Sequence, residues 1–447
     1  MECKTKDYLM PQTTQTSKLR EDALAILSAS LAAANANAAV KRRLIASNFR
    51  LRAIDRVFLI AIGKAAPQMA EAVEEKLGER LTRGLIVTKH GHAAFYSGHC
   101  EVMEAGHPVP DEHSLRAGRT VLALIDDLTA KDLLIAAISG GASALLCAPV
   151  EGVTLAGKRR TTDLLLRAGA DIYELNSVRK HLSLLKGGNL AARAYPAAVL
   201  SLLLSDVVGD PLDVIGSGLT APDTSTFDQA LRTLENRGVL SEVPREVKEH
   251  LERGARGEVS ETPKPGDGLF ENVSNFVVGS SRQALEAAAE EAKHRGYRPI
   301  ILSSRIQGEA REAARVHADI LWEAITSGHP LHPPACILSG GETTVTVRGG
   351  GKGGRNQEFA LAAAIALQGA QNVMMLCAGT DGSDGPTDAA GAIVTGDTVA
   401  RAEKLGYRAQ DYLARNDSYH FFEALGDLVK TGPTGTNVMD VNIMLAG

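Results

Sequence analysis

The residues that could do chemistry gather where apolar runs end. Between Ser339 and Glu358 the chain reads SGGETTVTVRGGGKGGRNQE. A Ser-Gly-Gly turn (Ser339, Gly340, Gly341) and a short Thr/Val strand are expected there, then five glycines threaded with Arg348, Lys352 and Arg355, then a helix from about Asn356. Glycines let backbone N–H groups approach an anion, and a helix N-terminus adds partial positive charge. The segment therefore reads as an anion loop, against the plainer reading of a basic surface loop. Elsewhere, Lys64 opens a helix after an apolar run, where a cation is disfavoured unless an anion sits beside it. Ser139, Gly140, Gly141 and Ser143 follow a second run, and Asp206 and Asp210 a third. Asp381, Asp384 and Asp388 crowd one loop, although each could serve only an Asx turn. Arg179, Lys180 and His181 are consecutive cation-capable side chains that could equally form a wet helix face. A phosphate cradle, cations and carboxylates able to hold Mg²⁺ are the ingredients of phosphoryl transfer.

These residues need elements to position them. Apolar runs at 56–62, 84–88, 102–105, 132–138 and 197–204 read as strands, with helices at about 65–77, 114–128 and 161–194, the last broken near Asn176. Such β-α-β repetition predicts a Rossmann-like, doubly wound, mostly parallel sheet. In such sheets ligands bind beyond the carboxyl ends of the strands, where the residues above lie. The polar stretch RGARGEVSETPKPGDG at 253–268 reads as a linker. A second series follows: strands 275–278, 298–302, 335–338 and 373–377, helices 281–294 and 308–327, and a closing strand 437–445. The expectation is two α/β domains, at 19–262 and 269–447, with the active site in the cleft between them.

The 447 residues are 44% hydrophobic and 23% charged with a net charge of −5, so neither a nucleic-acid footprint nor a polybasic membrane patch is indicated. Five scattered cysteines lack metal-ligand or disulfide spacing. His90, His92 and His107 follow strands without a metal pattern and read as structural. With no apolar leader or spanning stretch, a cytoplasmic enzyme is expected; a homodimer is the expected assembly. The chain has no GxxxxGK[ST] and no GxGxxG after an early strand; Gly63-Lys64-Ala65-Ala66-Pro67 stands in that place.

Taken in order, AIGKAAPQM, EAGHPVPDE, ISGGASALL, LNSVRKHLSLLKGGNLA, LLLSDVVGDPLDVIGSGLTAPD, LSGGETTVTVRGGGKGGRNQEFALAAA and AGTDGSDGPTDAAGAIV resemble the class II glycerate kinases, the glycerate 2-kinase family with a C-terminal MOFRL region (about 335–442 here). The resemblance spans nearly the whole chain outside residues 1–18. It implies ATP-dependent phosphorylation of D-glycerate at its 2-hydroxyl, with Mg²⁺, and makes Lys64 and Arg355 the leading catalytic residues. Within that frame Arg179 or Lys180 would hold the glycerate carboxylate. Asp206 or Asp381 would accept the hydroxyl proton or hold Mg²⁺; Asp206, Asp210 and Asp384 are the metal-ligand candidates. Ser139, Gly140, Gly141, Ser143, Ser339, Gly340 and Gly341 would line the two walls. Two readings compete: an NAD(P)H-dependent hydroxypyruvate reductase, which the missing dinucleotide fingerprint argues against, and a non-catalytic sugar-phosphate sensor.

Overall fold

The structure, a computed structural model, describes residues 12–46, 54–93 and 96–447. It falls into two compact units, one at Ala36–Gly279 and one joining residues 12–35 to Ser280–Gly447.

The first unit is built on six parallel strands: β1 (Arg56–Ile62), β2 (Leu81–Lys89), β3 (Glu101–Ala105), β4 (Asp132–Ile138), β5 (Ala198–Leu204) and β6 (Val273–Gly279), in the order β3-β2-β1-β4-β5-β6. This is the doubly wound order, and its direction reverses between β1 and β4. Both strands are buried along almost their whole length, which explains why they read as unbroken apolar runs: a central parallel strand is covered on both faces. Phe58, Ile60 and Ile62 of β1 share a core with Val87, Leu134 and Ile138. Register pairs Arg56 with Asp132 and Ile62 with Ile138, so Gly63 and Ser139 leave the sheet side by side. At the opposite end Arg56 grips Asp132 through Nε (2.9 Å) and Nη2 (2.7 Å).

The second sheet contains β7 (Arg298–Ile306), β8 (Ala335–Gly341), β9 (Val373–Gly379), β10 (Gly391–Thr395), β11 (Leu428–Val429) and β12 (Asp440–Ala446), ordered β11-β10-β9-β12-β8-β7. Only β7 and β8 pair in parallel; β12 runs antiparallel between β8 and β9. The closing strand is thus an interior strand.

Four expectations change. The chain leaves the first unit at 279, because β6 completes the first sheet against β5 instead of opening a second series. The 253–268 stretch is no free linker: Thr262 Oγ1 donates to Asp223, and Glu261 bonds the His181 ring. Helix Gln12–Ala34 belongs with the second unit, where Leu19, Ala23, Ile26 and Leu27 pack with Leu285, Leu338 and Ile443. The long helical zone breaks around Gly169 and again around Gly187 and Gly188, all left-handed glycines, so Asn176 lies inside helix Ile172–His181. The N-terminal tail expected at 1–18 lies outside the described residues up to position 11.

Candidate active site

In the first unit the sheet ends bring together what the sequence spread out. Lys64 N–H donates to Gly140 O (2.9 Å), and Ala65 N–H to Ser139 Oγ (3.1 Å). Ser139 N–H donates back to Ile62 O (2.8 Å). The contact is close enough to require glycine at 63. Its φ is +127°, and a Cβ there would lie 2.1 Å from Ser139 Oγ. A Cβ on Gly140 would lie 2.0 Å from the Asp206 carboxylate, and one on Gly141 3.0 Å from the His107 ring and 3.5 Å from Lys64 Cγ. Lys64, Asp206 and His107 therefore surround the 139–141 turn. Burial raises the Asp206 carboxyl above the usual range, against the pull of Lys64. Burial, then Lys64, Lys89 and His92, push His107 down to about 4, so it is neutral at pH 7.

Behind this turn sit three cations. Lys186 Nζ donates to Ser143 O (2.8 Å) and Leu146 O (3.0 Å), and Lys158 Nζ donates to Leu182 O (2.7 Å). Each thus caps the C-terminal end of a helix. Arg179 is half-buried nearby. Among the described residues, no carboxylate enters the charge balance of any of the three. Burial pushes Arg179 down to about 10; burial and the neighbouring cations push Lys158 to about 8 and Lys186 to about 7, with the Cys147 thiol opposing. Lys180, by contrast, is committed to Asp223 (3.0 Å) and Asp213 (3.2 Å), so its charge is not free for a substrate carboxylate. Ser143 Oγ lies 2.8 Å from Ser217 Oγ, which donates to Asn176 Oδ1 (3.0 Å). One carboxyl oxygen of Asp210, whose backbone is left-handed at φ 57°, is buried with no partner among the described residues.

The second unit treats its motif differently. Ser339, Gly340 and Gly341 are not a turn; they are the last residues of β8, paired with Asn442, Val441 and Asp440. Ser339 Oγ is engaged by the His317 ring (2.9 Å) and Asn442 (3.3 Å). The expected Thr/Val strand reduces to one bridge between Glu309 and Thr344, as Thr346 N–H turns to the Glu309 carboxylate. The glycine loop spends four of its backbone donors internally. Arg348 and Gly349 N–H donate to Asn416 Oδ1, Gly351 N–H to Arg415 O and Lys352 N–H to Asp417 Oδ1. Its glycines are needed for packing: a Cβ on Gly349 would lie 2.3 Å from Arg415 O, and one on Gly354 2.4 Å from Asp384.

Helix Arg355–Ala366 does receive an anion at its N-terminus, and it is Asp384. Asn356 N–H donates to Asp384 Oδ1 (3.0 Å) and Gln357 N–H to Oδ2 (2.8 Å). Both of its oxygens accept backbone N–H groups. Burial lifts its carboxyl to about 6 despite these bonds. Arg355 chelates Asp440 (Nε 2.7 Å, Nη2 3.0 Å) and pairs with Glu342 (3.0 Å). Burial opposes its charge, but these acids hold its pKa above the ordinary value. Asp381 Oδ1 accepts from Ser383 N–H (3.1 Å), an Asx turn. No group of three His, Cys, Asp or Glu suited to a metal exists among the described residues.

Lys158, Lys186, Ser217 and Asp440 carry parts of these arrangements that sequence reading did not single out, and His107, expected to be structural, stands beside the turn. Lys186 had one local signal, a lysine closing an apolar run before paired glycines. Asp440 had another, a polar residue at the entry of a strand.

Residues 22–252 match the family described as a domain of unknown function (DUF4147), and residues 335–440 match the MOFRL family. The chain is 44% identical to the D-glycerate 2-kinase of Thermotoga maritima, over 96% of this chain and 98% of that protein. It is 42% identical to the glycerate 2-kinase of Pyrococcus horikoshii, over 87% of each. The crystal structure of the Thermotoga maritima glycerate kinase superposes with a TM-score of 0.89, covering 96% of this chain and all of that one. With identity at this level sustained end to end, across both matched regions, the chain belongs to the glycerate 2-kinase family with a MOFRL C-terminal region.

Proposed function

We propose that this chain transfers the γ-phosphoryl group of ATP to the 2-hydroxyl of D-glycerate, giving 2-phospho-D-glycerate and ADP. The observation that carries the reading is the convergence of Lys64, the 139–141 turn and Asp206 at the strand reversal of a doubly wound sheet, in a chain similar along its length to a D-glycerate 2-kinase. The 2-hydroxyl oxygen attacks the γ-phosphorus, and the bond from phosphorus to the β–γ bridging oxygen breaks. Asp206, raised in pKa by burial, accepts the hydroxyl proton. Lys64 offsets charge on the transferring group, a contribution of several kcal/mol in comparable sites. Arg355, in the second unit, is tied to Asp440 and Glu342. Arg179, supported by Lys158 and Lys186, holds the glycerate carboxylate; Lys180 does not.

Mg²⁺ in such reactions is held by one or two carboxylates plus nucleotide phosphates and needs no cage made wholly of protein. Asp210, with an oxygen that has no partner among the described residues, fits that donor set, and when bound the ion would neutralise phosphate charge. The proposed setting is cytoplasmic; no single described helix is long and apolar enough to cross a membrane. The homodimer stays an expectation for sedimentation to test.

A coupled ADP-release assay with D-glycerate tests the activity. Enolase with and without phosphoglycerate mutase then separates the 2- from the 3-phosphate. NADH oxidation with hydroxypyruvate, in place of ADP release, would move the reading to the reductase.

A further inference from the structure

A cavity of about 420 Å³ in the first unit is not used by the groups assigned above, except that Lys180 stands in its wall. Helix Ile172–His181 contributes Tyr173, Asn176 and Lys180, spaced to share one face. Helix Phe227–Asn236 contributes Arg232, and the intervening loop Asp213 and Asp223. Asn176 is 2% exposed, and its Nδ2 has no partner among the described residues. A buried amide donor left open in a cavity wall is a group waiting for an acceptor. The same side chain is tied through Ser217 to Ser143, so one end of the cavity abuts the turn that follows β4. Ser217 is held left-handed at φ 61° between Gly216 (58°) and Gly218 (66°). Such backbone persists where the surroundings over-determine it, as at ligand sites.

The lining speaks to chemical class. The volume lies in the range of sites for drug-sized ligands, far more than a three-carbon hydroxy acid fills. Tyr173 is 59% exposed, and with Arg232 it offers planar faces on which an aromatic base can stack. Asp213 keeps a side chain 32% exposed beside its single lysine contact, open to accept from a vicinal diol as ribose-binding carboxylates do. Asp223, fully buried and bonded through both oxygens, serves as the anchor for Lys180.

We propose that this cavity receives the nucleoside half of the phosphoryl donor, with the ribose diol against Asp213, the base against Tyr173, and the phosphates leading toward the turn at Ser143. The proposal rests on the kinase reading. Calorimetry on the full chain with ADP and with adenosine tests it without turnover. Wild type binds both, and Asp213→Asn and Tyr173→Ala each weaken both at least tenfold. Tyr173, being exposed, guards against a folding artefact. In the ADP-release assay the same variants raise the ATP KM at least tenfold while the glycerate KM stays within twofold. Adenosine failing to bind wild type, or binding the variants equally, overturns the proposal. So does a glycerate KM that rises in place of the ATP KM, which would put the acceptor in the cavity. A wild type that binds adenosine yet releases no ADP would sink the kinase reading and leave the nucleoside site standing.

Discussion

Ser139-Gly140-Gly141 and Ser339-Gly340-Gly341 look alike in sequence and do opposite things. The first is a turn beyond a parallel strand, gripped by Lys64 and lying against Asp206. The second is strand, zipped to β12. The charges around them divide in the same way. Beside the first turn, Lys158, Arg179 and Lys186 have no carboxylate in their balance among the described residues. Beside the second, Arg355 has Asp440 and Glu342, and the helix N-terminus has Asp384. Burying unpaired charge is costly. A cation that folding leaves uncompensated therefore points to a ligand, whereas a fully compensated motif holds the scaffold together.

The largest effect expected is at Lys64. Replacing it with Ala should lower kcat/KM by about 100- to 1,000-fold, with a stability loss of at most about 1 kcal/mol, because the side chain is partly exposed and only its attraction to the Asp206 carboxyl is lost. Turnover close to wild type would remove Lys64 from the reaction and with it the functional side of the comparison.

Next comes a matched pair of arginines. Arg179→Met removes a half-buried cation with no carboxylate in its charge balance among the described residues, so stability should hold or rise, while the glycerate KM climbs at least about 30-fold. Arg355→Met leaves Asp440 buried and unpaired, and should cost about 3 kcal/mol in denaturant unfolding. Equal stability losses in the two variants would break the division between compensated and uncompensated charge.

A pH series sharpens it. Lys186 titrates near 7 and Lys158 near 8 in the folded chain, against about 10.4 unfolded. Between those values the unfolded chain binds more protons, so unliganded stability should rise as pH goes from 7 to 10. An anion favours the protonated lysines, so glycerate affinity should fall as pH passes through 7 to 8. Affinity measured by calorimetry that stays flat across this window would mean the lysines do not sense the substrate.

Much of this was legible in the chain because it depends on local pattern. β1, β4 and β5 are buried on both faces and so announce themselves as apolar runs. The rule that ligands sit past strand carboxyl ends then picks out Lys64, Ser139 and Asp206. What was not legible depends on partners far away in sequence. Ser339 becomes strand because Asn442 lies opposite it. Asp384 becomes a helix cap because residues 356 and 357 present their N–H groups to it. Helix Gln12–Ala34 precedes the first unit yet belongs to the second, since Asp22 is held by Arg295 (2.7 Å) and Tyr297 (2.8 Å). No periodicity encodes such pairings; only the assembled core selects them.

The smallest effect tests the opening reading of the glycine loop. Lys352 lies 4.0 Å from the centre of the Tyr419 ring, which is buried; such a cation–π contact is worth about 0.5–2 kcal/mol. The loop's N–H groups at 348, 349, 351 and 352 are already bonded to residues 415–417, so those four are not open to a phosphate. Lys352→Ala should therefore lose about that much stability and leave the ATP KM within about twofold. A tenfold rise in the ATP KM would return this loop to the binding machinery. It would also show that a motif with four of its backbone donors bonded internally can still recognise an anion through its side chains.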